Sequence, residues 1–515
     1  MLLSLFLPFL ADVGTVTAQS ASTQDVCNTL SKLYSDSTIL PGTSRYDFEN
    51  TYMNHFNSET DSWTSTAWLG PACVFAPSSA EDVSIAVKLF TKANVPFAVR
   101  AGGGMTVDNA ANIGPEGILI SSTNMIMMDI NDDHSLVSVG PGIRWPQFYA
   151  YLDNFNRTVD GIRLGNVGVV GLLLGGGIGF FSYEHGSVST EVQAFQCVLA
   201  NGNIVEASLT ENSDLFWALR GGGNNFCIVT RADLRTLNVS AIDIGSVSYG
   251  TESQTEYLKS MVDFAHYADF DPKTAVEGQI RWSPSTNPQK TFDAFIFHSG
   301  EDLQAGPQNF TASGLINLTA PVLPVTGGEV VRQTMGTWSN AVDYASDAGR
   351  RQLWHSVSIP ADADLFNIFV DSYFNGIAEL DNIPGFFTAL AIMPITKSLL
   401  EKSEDNGGNP LVTPGQEYQP QMWLVESASW PDAEDDKTVF DAHQKANEDI
   451  KKNIRAAGSD LLPFVFLSAA QKTQSNDVFP GYGEGNWQKM KEIRAKYDPN
   501  LVFTKLVPGG AKVES

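Results

Sequence analysis

The sequence predicts an α+β protein built from two differently textured regions, and three observations carry that reading. From 67 to about 239, short β-rich runs alternate with glycine turns and a few helices. From about 240 to 455, alternating strands are joined by amphipathic helices, the pattern of an antiparallel sheet covered by helices on one face. Three glycine clusters recur beside strand-like segments in the first region. A chain of 515 residues is too long for one compact core, so two domains are expected.

Taken in order, Asp25 to Tyr34 reads as an N-terminal helix, and Asp82 to Ala93 as a second with an apolar face of Val83, Ile85, Ala86, Val87, Leu89 and Phe90. Val95 to Val99 is a hydrophobic strand that runs into Arg100-Ala101-Gly102-Gly103-Gly104-Met105. Residues 117–120, 135–139 and 204–207 are short strands, and Trp145 to Phe155 is a helix with Phe148, Tyr149 and Leu152 on one side. Farther on, Glu277-Gly278-Gln279-Ile280-Arg281-Trp282 and Ala294 to His298 alternate as strands, with loops at Pro384-Gly385 and Asn406 to Pro410.

The glycine clusters carry the chemistry. Besides the run after Val99, Gly165-Asn166-Val167-Gly168-Val169-Val170-Gly171 leads into Gly175-Gly176-Gly177, and Arg220-Gly221-Gly222-Gly223 precedes Ile228-Val229. Glycine lets backbone approach a ligand and lets successive N–H groups converge on a phosphate, so three such loops suggest one long polyphosphate ligand. No Gly-Lys-Ser/Thr follows for a Walker loop, and no helical pattern opens after the first run for a Rossmann fingerprint.

A net charge of −26 would repel nucleic acid and anionic membrane. Residues 1–18 look like a signal peptide, with Val16-Thr17-Ala18 before Gln19 as the cleavage site, so a secreted protein is expected. The sequons at Asn156, Asn238, Asn309 and Asn317 fit a glycoprotein. Four cysteines make no disulfide scaffold, and Cys197 and Cys227 look buried in strands, their pairing open. The scattered histidines and cysteines offer no metal-site spacing, and no Gly-x-Ser-x-Gly elbow appears.

The order and wording of these segments resemble the berberine bridge enzyme-like FAD-linked oxidoreductases of the vanillyl-alcohol oxidase superfamily. The resemblance begins near Ala67-Trp68-Leu69-Gly70-Pro71-Ala72-Cys73 and resumes in Tyr482-Gly483-Glu484-Gly485-Asn486 and Tyr497-Asp498-Pro499-Asn500-Leu501-Val502-Phe503. It implies an N-terminal helical segment over 19–66 and a PCMH-type FAD module of two subdomains over 67–239. It further implies a substrate domain over 240–455 and a return to the FAD module over 456–515. It also implies a Cys27–Cys73 disulfide. Cofactor contacts would come from Arg100, Ala101, Gly102, Gly103, Gly104 and Met105, from Gly140 and Gly142, and from Gly165, Val167, Gly168, Gly171, Gly175, Gly176 and Gly177. Ile228 and Val229 would meet the adenine end, and Tyr482 and Asn486 the flavin.

The departures from the family matter as much. Relatives read Arg-Ser-Gly-Gly-His in the first loop and bond that histidine to the flavin; here the position is Gly104. The cysteine that bicovalent relatives carry before the Val-Gly-Val run is matched by Leu164, so noncovalent FAD is expected. Ser468-Ala469 replaces an Asn-Tyr pair at the end of the last active-site strand, and Met393 falls where relatives place a base. Glu426, His355, Tyr183 and His185 are the remaining candidates for acid–base work, with the base itself unassigned. The expected function is oxidation of a small organic molecule in secondary metabolism by hydride transfer to flavin N5, with O2 as the acceptor. The alternative is a silent protein or an FAD-templated cyclase on the same fold.

Overall fold

A computed structural model describes residues 22–51, 64–300, 325–342 and 349–514. The N-terminal helix spans Thr23–Leu33, opened by Ser22, whose hydroxyl accepts from the Asp25 N–H while the Asp25 carboxylate returns the bond. Its Cys27 joins Cys73 in a disulfide. The signal-peptide segment and the sequons at Asn309 and Asn317 lie outside the described residues, whereas Asn156 and Asn238 are exposed.

Two sheets form the first region. Strands Cys73–Phe75, Ile118–Ser121 and Phe97–Arg100 pair in parallel, with Thr38–Ile39 antiparallel at one edge. Parallel strands need a covering helix, and Ala80–Ala93 supplies it through Val83, Ala86, Val87 and Phe90. This helix stops at Asn94 in the left-handed region, which frees the chain to enter Phe97–Arg100. The second sheet is antiparallel, in the order Met128–Ile130, Leu136–Val139, Ile228–Arg235, Val192–Val198, Ile204–Ser208. The C-terminal segment packs here too: Val502, Phe503, Leu506 and Val507 share a core with Phe97 and Ile118, and Phe97 N–H donates to Leu506 O at 2.7 Å.

The third sheet has seven antiparallel strands, in the order Val325–Gln333, Ile242–Tyr249, Asn287–His298, Thr274–Ser283, Phe387–Ile395, Gln421–Trp430, Arg351–Pro360. Helices Gln254–Tyr267, Ala363–Gly376 and Asp436–Ala456 cover one face, burying Tyr257, Met261, Phe366, Phe369, Ile450 and Ile454. The other face turns toward the glycine loops. Helix Trp145–Asp153 ends two residues before the expected Phe155, where Asn154 begins a turn.

Val169–Leu174 and Ser213–Leu219 are further short helices beside the glycine loops. One expectation fails locally. Phe466 to Ala469 is no strand: Leu467–Ala469 is a single 3-10 turn, because Phe466 N–H donates to the Ser356 hydroxyl (3.0 Å) rather than to a neighbouring strand.

A candidate cofactor and substrate cavity

One cavity of about 830 Å3 runs between the glycine loops and the open face of the seven-stranded sheet. At the glycine end its walls include Ala101, Gly102, Gly103, Gly104, Met105, Val167, Gly168, Gly171, Gly175, Ile228 and Val229. The first two loops meet back to back there. A Cβ on Gly102 would lie 2.4 Å from the Cα and N of Gly168, and one on Gly168 would lie 2.6 Å from the same atoms of Gly102. Only glycine at both positions allows that approach. Gly104 by contrast has nothing within 4 Å of a would-be Cβ.

The remaining expected contacts sit behind the wall and hold it. The Arg100 guanidinium turns into the core, donating to the Ser121 hydroxyl (2.9 Å) and to the Glu49 carboxylate, while Ser122 bonds its carbonyl. Gly140 and Gly142 pack against the Met125 and Ser122 carbonyls, leaving Pro141 on the wall. Gly165 N–H donates to Val342 O (3.2 Å), Gly176 packs on Leu411, and Gly177 on Val188. Tyr482 Oη donates to Gly221 O (3.2 Å), and Asn486 Nδ2 donates to the Pro410 and Val412 carbonyls (3.0 and 2.9 Å). These two residues brace loops and do not line the cavity.

None of the acid–base candidates reaches the cavity. Strand neighbours point to opposite faces, so Val425 and Ser427 face the cavity and Glu426 faces the helices. Its Oε2 accepts from Asn447 Nδ2 at 2.8 Å and lies 3.7 Å from His443 Nδ1. His355, opposite Glu426 in the ladder, lies on that same covered face, and burial pushes its pKa down. Tyr183 donates to Pro394 O (2.7 Å), clasping the glycine region to the third sheet, and burial keeps its hydroxyl protonated. His185 lies 3.7 Å from the Glu191 carboxylate, away from the wall.

The sheet end carries residues that the sequence reading did not single out. Glu277, Gln279, Arg281 and Ser283 alternate along one strand and all line the cavity. In the next column Ala391 stands beside Gln279 and Ala389 beside Arg281, followed by Val425 and Ser427, then Trp354. Met393 and Phe387 complete the middle column, and Phe466, Leu467, Ser468 and Ala469 close the side. Arg163, directly before Leu164, reaches up to Glu277, with Nε 2.9 Å from Oε2 and both side chains more than nine-tenths buried. The contact is not aligned as a hydrogen bond, and Arg163 Nη1 has no hydrogen-bond partner at all. Burial raises the Glu277 pKa, an effect that the Arg163 charge and Gln279 oppose without cancelling. The alternation Glu277-Gly278-Gln279-Ile280-Arg281 was the available signal, but a polar strand face ordinarily reads as a solvent face.

Among the described wall residues the charged side chains, Arg163, Glu277, Arg281 and Arg350, all belong to the sheet end. At the glycine end phosphates would therefore be met by neutral donors, chiefly backbone N–H groups. The cavity thus has a glycine-walled end and an end lined by side chains of the seven-stranded sheet.

The comparisons with known proteins agree with that geometry. A family profile described as an FAD binding domain matches residues 71–208. The chain is 30% identical over 514 residues to the FAD-dependent monooxygenase prx3 of Penicillium roqueforti, covering 97% of this chain and 96% of that one. It is 31% identical over 469 residues to the FAD-dependent monooxygenase AOL_s00215g279 of Arthrobotrys oligospora, covering 89% and 86%. In fold it is similar to the glucooligosaccharide oxidase of Acremonium strictum (TM-score 0.74, 20% identity, 95% of this chain and 99% of that one). It is likewise similar to 6-hydroxy-D-nicotine oxidase of Arthrobacter nicotinovorans (TM-score 0.71, 20% identity, 91% and 96%). The chain belongs to the same family as these fungal FAD-dependent monooxygenases, and it is an FAD-dependent oxidoreductase.

Proposed function

We propose that the enzyme binds FAD noncovalently and oxidises a small organic molecule of secondary metabolism, with O2 as the final electron acceptor. The carrying observation is that Gly104 and Leu164, the two positions by which relatives tether the flavin, both line the cavity and neither bears a nucleophile. When bound, FAD supplies the two-electron oxidation at its ring. The chain's own residues do the rest. Backbone N–H groups of 101–105 would meet the pyrophosphate, and Ile228 and Val229 the adenine end, a reading supported by their shared place on the cavity wall. Trp354, Phe387, Phe466 and Leu467 give the chamber bulky apolar walls. Relatives named as monooxygenases and as the bifunctional solanapyrone synthase of Alternaria solani support a secondary-metabolite substrate. The signal-like residues 1–18 and the exposed Asn156 and Asn238 support action outside the cell.

The deciding experiment is a visible spectrum of the purified protein and of its supernatant after acid precipitation. Flavin bands released into the supernatant are expected. Flavin retained in the pellet would overturn the noncovalent assignment, and a colourless protein that takes up no FAD would overturn the whole reading.

A further inference from the structure

The chamber above the glycine loops is graded, and the grading identifies what it recognises. Its middle columns, Phe387, Ala389, Ala391 and Met393 beside Val425 and Ser427, are mainly apolar, the Ser427 hydroxyl donating to Ala389 O at 2.9 Å, with two alanines giving the depth. Arg281 is already committed, donating Nε to Asp293 Oδ2 at 2.9 Å. What remains at the inner end is the Arg163–Glu277 pair, a cation and an anion side by side, each with a buried polar atom that completes no hydrogen bond. Such atoms are costly to bury unless something supplies their partner. A group that satisfies both must accept from a guanidinium N–H and donate to a carboxylate oxygen. A hydroxyl does so with one atom; an ether or ketone serves only the arginine, and a hydrocarbon serves neither.

We propose, building on the flavoenzyme reading, that Arg163 and Glu277 form a hydroxyl-recognition site and that the substrates are predominantly apolar molecules presenting one hydroxyl to it. The hydroxyl oxygen accepts from Arg163 Nη1, and its hydrogen is donated to Glu277 Oε2. The apolar body lies under Ala389 and Ala391. The burial that raises the Glu277 pKa also suits it to share or accept that hydrogen, with the resulting charge on oxygen held by Arg163.

The test uses flavin-loaded full-length protein and two probes of nearly equal size, 2-naphthol and 2-methoxynaphthalene. Binding is read from quenching of naphthalene fluorescence and from displacement of the flavin absorption bands. Naphthol should bind tighter by about tenfold to a hundredfold, the range expected for a hydrogen bond to a charged group. Arg163→Leu combined with Glu277→Leu removes the buried charges together and should bring the two probes within about twofold, with the yellow colour retained. Glu277→Gln, nearly isosteric, should shrink the preference severalfold and stands in if the double variant does not fold. Equal binding of both probes to the wild type would overturn the proposal, as would survival of the preference in both variants or binding of neither probe to yellow protein. Failure of the flavoenzyme reading is seen separately, as a colourless preparation before any probe is added.

Discussion

Alanine scanning two residues apart in the first glycine loop makes the sharpest prediction. At Gly102 a Cβ would stand 2.4 Å from the Gly168 backbone, while at Gly104 nothing lies within 4 Å. Neither glycine has a left-handed φ, so alanine itself is tolerated by both backbones and only space differs. Ordinary contact begins near 3.4 Å, so Gly102→Ala must push the two loops apart by roughly 1 Å. The obstacle is backbone, with no rotamer to swing aside, which places the cost at the upper end of the ~1–3 kcal/mol seen for overpacked sites. If bound FAD is gripped between these loops, that strain weakens it by about thirtyfold or more, since each 1.4 kcal/mol is a factor of ten. The assay is FAD titration of the apoprotein followed by flavin fluorescence, with a thermal ramp recording flavin release. Gly104→Ala should match the wild type within about threefold, as expected where relatives carry a whole histidine. Equal affinities for all three proteins, or equal losses in both variants, would refute the reasoning.

Two further predictions concern residues outside the cavity. Asp160 is fully buried beneath Ser182 and Phe181, and burial pushes its carboxyl from an ordinary 3.8 up to about 7. Because the folded state holds that proton more tightly than the unfolded chain, stability falls as pH rises from about 4 to 7, by about 4 kcal/mol at 1.36 kcal/mol per pH unit. Asp160→Asn should flatten the melting temperature between pH 5 and pH 8; an unchanged slope would remove Asp160 from the account. Glu426→Ala should lower stability by about 1–3 kcal/mol, because Asn447 loses its buried acceptor, yet leave the flavin spectrum and FAD affinity unchanged. A spectrum altered without loss of stability would place Glu426 in the active chamber after all.

How much was legible can be followed residue by residue. The helix read over Asp82 to Ala93, observed as Ala80–Ala93, and the strand before Arg100 were readable because their signals are local: apolar spacing and glycine at the turn. That Gly104 and Leu164 stand where a histidine and a cysteine were expected was readable for the same reason, as it concerns residue identity in recognisable wording. Glu426 misled because its strand, Trp423-Leu424-Val425-Glu426-Ser427, is covered on both faces. Apolar residues then occupy both parities, and nothing in the sequence says which one meets the cavity.

By itself, then, the sequence determined what depends on neighbouring residues: the glycine loops, the elements flanking them, and the absence of a nucleophile at the tethering positions. Only the tertiary structure decided which side chains share the substrate chamber. Arg163 comes from the loop before the second glycine cluster and Glu277 from a strand of a different sheet, and no local pattern couples them. Their meeting follows from stacking the open face of the third sheet over the glycine loops. The same stacking turned a strand face with the alternation of a solvent surface into the polar column of a cavity wall.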